Sequence, residues 1–161
     1  MPLQKSSLAQ DLEDIFTSKP ASTADAASKW AKSYVSYAQA AMSSMSSLPV
    51  TAMANLSLVQ GAFTAGLAAL SSATAGSLIA QGITSYWQAM TWVGPGITGV
   101  TTFPGNAALA GALSAVFSDL SKKSNADKAK DIADAFDAGA KSVMVLDTIT
   151  VTGVTSPGPI Q

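Results

Sequence analysis

The sequence predicts a mainly α protein of about six helices, closed by one C-terminal β-strand and an extended arm. Three observations predict it. Apolar residues recur at spacings of three and four through most of the chain. Ser, Asn and Pro residues stand where helices would start and stop. A single segment near the end switches to period two with β-branched residues.

Ser7-Leu8-Ala9-Gln10 reads as a capping box for the first helix, with Leu8, Leu12, Ile15 and Phe16 on one face. Pro20 ends it, because the residue before a proline avoids the helical region. Ser22 or Thr23 caps a second helix, with Asp25 in its first turn and a stripe of Ala27, Trp30, Tyr34, Tyr37, Ala41 and Met45. Pro49 is expected to close it. A third helix is expected from about Thr51 to Leu70. Its stripe is Leu56, Val59, Phe63 and Leu70, and Ala and Gly between them let a neighbouring helix come close. After a break at 71–76, Leu78, Ile79, Ile83, Tyr86, Trp87 and Met90 mark a fourth.

Residues 93–105 hold four Gly and two Pro, which predicts a loop. Thirteen residues is long for a connector and suits a functional loop. Asn106 is the expected cap of a fifth helix carrying Leu109, Leu113, Val116, Phe117 and Leu120. Ser124 or Asn125 caps a sixth, with Ile132, Ala133, Phe136 and Ala140. Val143 to Thr152 then alternates, Val143, Val145, Ile149 and Val151 on one side and Thr148, Thr150 and Thr152 on the other. A lone strand leaves backbone groups unpaired, so it must find a partner. That partner is either an extended piece of the same chain, such as Ile97 to Phe103, or another subunit by strand addition. Residues 153–161 read as an extended arm. The organisation is thus a helical domain over 1–142 with its Gly/Pro loop at 93–105, followed by strand and arm over 143–161.

The charges carry the most information about function. All nineteen lie in residues 5–32 and 119–147; from Ser33 to Ser118 there is none. A free domain normally scatters charge over its surface. The gap lies in a bilayer, under other subunits, or on a wet neutral surface rich in Ser and Thr. A spanning helix needs roughly 20 predominantly apolar residues, and in the best candidate, Gly61 to Ala80, the apolar content is mostly Ala, with Ser-Ser-Ala-Thr in the middle. The net charge of −1 offers no field to steer the chain to nucleic acid. All nine basic residues are Lys, so the planar donor fork that suits phosphate is missing.

The chain has no His and no Cys. Nothing therefore supplies an ordinary neutral-pH general base, a thiolate nucleophile or a thiolate metal site. No catalytic residue, cofactor or metal is expected. Asp127, Asp131, Asp134 and Asp137 would line one face of the sixth helix, but Lys128, Lys130 and Lys141 interleave them, which fits a solvated face. Asp147, mid-strand among apolar neighbours, is expected at an edge, where it blunts unwanted pairing. Tyr86, Trp87 and Trp92 precede the Gly/Pro loop, either as core or as anchors for a partner. The expected partner-binding residues are Trp87, Trp92, Phe103, Val143, Val145, Ile149, Val151, Pro157, Pro159 and Ile160.

Ala/Ser/Thr-rich helices with few charges, the stretch from Met90 through Trp92-Val-Gly-Pro-Gly to Thr102-Phe-Pro-Gly, and a terminal segment ending Ser-Pro-Gly-Pro-Ile-Gln resemble the small structural proteins of tailed-phage virions. The resemblance is to the class. It implies a neck, baseplate or capsid accessory role in the virion after assembly in the host cytoplasm, with many copies, other protein subunits as partners and no cofactor. The competing expectation is a membrane-active protein, a pore former or secretion translocator, with residues 51–92 as its weakly apolar hairpin.

Overall fold

A computed structural model describes residues 3–50, 56–119, 121 and 123–161. The protein is mainly α. Six helices occur among these residues: α1 Lys5–Ser18, α2 Thr23–Ala38, α3 Leu56–Leu67, α4 Ser72–Gln88, α5 Asn106–Ser118 and α6 Asn125–Ala140. Four strands follow the chain as β1 Thr91–Gly94, β2 Ile97–Thr102, β3 Met144–Ile149 and β4 Thr155–Pro159.

Each helix packs on its neighbours in the chain, and α6 returns to α1, closing a ring. Its interior is aromatic. Phe136 packs edge-on to Tyr34 at 5.1 Å and stacks on Phe63 at 5.9 Å, while Trp30 meets Phe16, Phe63 and Phe136 edge-on. Small residues set the helix spacing. A Cβ on Gly76 of α4 would stand 2.6 Å from the carbonyl oxygen of Ala110 and 2.8 Å from the amide nitrogen of Ser114 in α5. On its other side α4 meets α3, where Gly82 lies against Ala62. The Ala and Gly content of α3 and α4 thus gives the close approach expected of it.

Ser22 caps α2 through the amide of Asp25 (3.1 Å), and the Asp25 carboxylate accepts from Ala21 N–H (3.0 Å). Ser71 caps α4 and Ser124 caps α6 in the same way. Other ends differ from expectation. Helix α1 begins at Lys5, so Ser7 lies inside the first turn and bonds Gln4 instead of capping. Helix α5 has Gly105, not Asn106, at its cap. Helix α2 stops at Ala38, short of Met45 and Pro49, because Met42 and Ser43 pair with other backbone: Met42 with Pro49 and Gln161, Ser43 with Ile160. The expected start of the third helix at Thr51 and the stripe residue Leu120 lie outside the described residues. Helices α3 and α4 are 12 and 17 residues long. Among the described residues no helix is long and apolar enough to cross a membrane.

The main departure is at 93–105. It is not a loop but most of a hairpin. Pro95 and Gly96, the latter at φ +73°, turn β1 into β2, as a proline followed by a positive-φ glycine does in a tight turn. The four strands form one antiparallel sheet in the order β1-β2-β3-β4. The C-terminal strand finds its partner in its own chain, β2, from Ile97↔Ile149 to Thr102↔Met144. The expected arm is no arm: residues 155–159 pair with β3 as β4. Val143, Val145 and Ile160 belong to the same core as the helices.

Because Gly76 lies against α5 backbone, which cannot rotate away, Gly76→Ala is expected to destabilise the fold by about 1–3 kcal/mol despite its better helix propensity. Urea denaturation followed by circular dichroism measures this, and an unchanged or raised midpoint would refute the packing argument.

Candidate functional site

Directly opposed residues on paired strands share a face, so the register assigns the sheet's two sides. The row Trp92–Gly99–Asp147–Ser156 and the row Thr101–Val145–Gly158 face inward, toward the bundle. The rows Thr91–Val100–Leu146–Pro157, Val93–Thr98–Thr148–Thr155 and Thr102–Met144–Pro159 face outward.

The inner face is a polar clasp. The Trp92 indole lies across Gly99, where a Cβ would stand 1.9 Å from the ring, and its Nε1–H donates to Asp147 Oδ1 at 2.8 Å. Ser43 Oγ–H donates to Asp147 Oδ2 at 2.8 Å and itself accepts from the amides of Met45 and Ser46. Asp147 is 5% exposed. It is therefore not at an edge, as expected, but on a strand flanked on both sides, and it ties β1 and the 42–49 turn to β3. The Thr101 hydroxyl bonds the Trp87 carbonyl and Trp87 Nε1–H donates to Tyr34 (2.8 Å), continuing the connection into the ring.

A second buried carboxylate, Asp137, accepts from Tyr37 (2.7 Å) and from Lys141 one turn on (2.7 Å). It is buried rather than part of a solvated helix face. Burial first, and then the bond to Asp137, push the Tyr37 phenol well above its usual range. On the rest of the acidic face half-buried Asp134 pairs with Lys5 of α1, half-buried Asp131 shares Lys123 with Asp119, and exposed Asp127 accepts from Ser124. Hydrogen bonds from Lys123 and Ser121 hold the Asp119 carboxyl far below its ordinary value. Among the described residues no group of three or more His, Cys, Asp or Glu could hold a metal ion. A cleft of about 290 Å³ opens beside this cluster, floored by Phe16, Trp30, Leu67, Val116, Phe117 and Ile132.

The expected partner-binding residues divide. Trp87, Trp92, Phe103, Val143, Val145 and Ile160 are buried in the chain's own core, so their aromatic and β-branched surfaces are already covered. Ile149, Val151, Pro157 and Pro159 are exposed. Strand β3 offers no free edge, because β2 and β4 occupy both sides. What the sequence reading missed is the outward face. Val93 and Val100 are exposed, Met144 and Leu146 half-exposed, and not one residue on it is charged. β-branched residues stand in Thr91-Trp-Val and Val100-Thr-Thr, but Gly and Pro between them break any run of alternation.

The surface has a second uncharged region. The charged helices α6, α1 and α2 are adjacent in the ring, and α3, α4 and α5 complete it. The exposed positions of that second half are small or neutral, among them Gly61, Ala65, Thr74, Gln81, Ala108 and Ala115. Compared with models of known protein families, with curated proteins and with solved structures, the chain matches none.

Removing the clasp carboxylate leaves the buried Trp92 and Ser43 donors without an acceptor. Asp147→Ala is expected to cost about 2–5 kcal/mol, measured by urea denaturation with Trp fluorescence as the probe. Loss of under about 0.5 kcal/mol, the range of ordinary surface changes, would show that the clasp is dispensable. The pH profile follows from the shifts. The carboxyls of Asp25, Asp119 and Asp127 are held below their ordinary value, first by bonds from Lys29, Lys123 and Ser124 respectively. Groups lowered in the folded state add stability above the unfolded pKa and lose it as pH falls through the folded one. Among the shifted carboxyls Asp11, raised by burial, acts in the opposite sense. With no His or Cys to titrate, the Tm is expected to stay flat from about pH 5 to pH 8 and to fall below about pH 4. A transition near pH 6.5 would contradict this.

Proposed function

We propose that this chain is a non-catalytic structural subunit of a large protein assembly, of the kind found in tailed-phage virions as neck, baseplate or capsid accessory protein. The observation that carries the reading is the exposed uncharged sector of the helical ring. Surfaces that stay in water normally carry interspersed charge, which keeps copies apart. Here α1, α2 and α6 carry it and α3, α4 and α5 carry none. The exposed positions on α3–α5 are mainly Ala, Gly, Ser and Thr. Such a surface permits close packing of a neighbouring helix at little side-chain entropy cost.

The chemistry of the chain supports the non-catalytic half of the reading. The two buried carboxylates, Asp137 and Asp147, are each engaged by two donors from the protein itself. Their geometry serves to join elements rather than to meet a substrate. The partners are other protein subunits, and the place of action is the particle.

Co-expressed with the products of its flanking genes, the chain is expected to co-purify in a complex of fixed stoichiometry, and mass spectrometry of purified particles is expected to find it in several copies. Recovery only as a free chain in both experiments would overturn the reading. A charge placed in the neutral sector, Ala65→Lys or Ala115→Lys, is expected to change stability by under about 0.5 kcal/mol and to reduce incorporation strongly. Incorporation at wild-type occupancy would show that α3–α5 is not the contact.

A further inference from the structure

We draw no further inference here: the strongest candidate, the apolar cleft of about 290 Å³ over Trp30, Phe117 and Ile132, has on its rim two lysines, Lys123 and Lys128, balanced by two aspartates, Asp119 and Asp131, so that its charge selects no ligand, and nothing in the structure shows what covers it.

Discussion

One buried carboxylate sets the arrangement of the sheet against the bundle. Asp147 takes its two hydrogen bonds from elements far apart in sequence, Trp92 of β1 and Ser43 of the turn after α2. The bond from Trp92 crosses an intervening strand, and only a glycine at position 99 leaves room for the indole to do so. Three features that look unrelated in the sequence are therefore one device: a glycine in a strand, an acid among β-branched residues and a serine past the end of a helix. A carboxylate so buried is tolerated only with its acceptor oxygens satisfied. That requirement helps place β1, β3 and the 42–49 turn together. The helix α2 gives way to the turn at Ala38 in the same region, where Met42 and Ser44 bond the C-terminal residues Gln161 and Pro159.

The ring of helices solves the opposite problem. Its core is aromatic and its joints are small. Gly76 and Gly82 bring α4 against α5 and α3, while Trp30, Tyr34, Phe63 and Phe136 fill the centre. Among the helices only α6, α1 and α2 carry charge, and Lys5 pairs with Asp134 to join α1 to α6. Exposed pairs of this kind contribute little to stability. Their value lies in keeping that sector wet. The remaining sector and the outer face of the sheet carry no such charge.

Legibility varied with the range of the interactions. The caps at Ser22 and Ser124 were readable because capping is local: a side chain meets an amide three residues on. The stripe Ala27, Trp30, Tyr34, Tyr37 was readable because helical period alone places those residues on one face, and all four are buried. Residues 93–105 were misread because Gly94, Gly96, Gly99 and Pro95 signal a loop to any local rule. Three of those four features serve the hairpin: Pro95 and Gly96 make its turn, and Gly99 admits Trp92. The expected partner anchors Trp87 and Trp92 illustrate the same limit. Their chemistry marked them as important, but whether they anchor a partner or the chain's own core depends on which elements meet.

By itself the sequence determined the number of helices, most of their apolar faces, the one strongly patterned strand and the separation of charged from uncharged segments. Periodicity, capping and composition are properties of neighbours along the chain, and they survive any tertiary arrangement. Only the tertiary structure decided that the strand is one of four, that residues 155–159 fold back onto it, that Asp147 is buried and that the uncharged residues form two distinct surfaces. Those outcomes turn on which backbone groups find partners at long range. Unpaired strands and buried acids are costly until such partners arrive, so their resolution belongs to the fold as a whole.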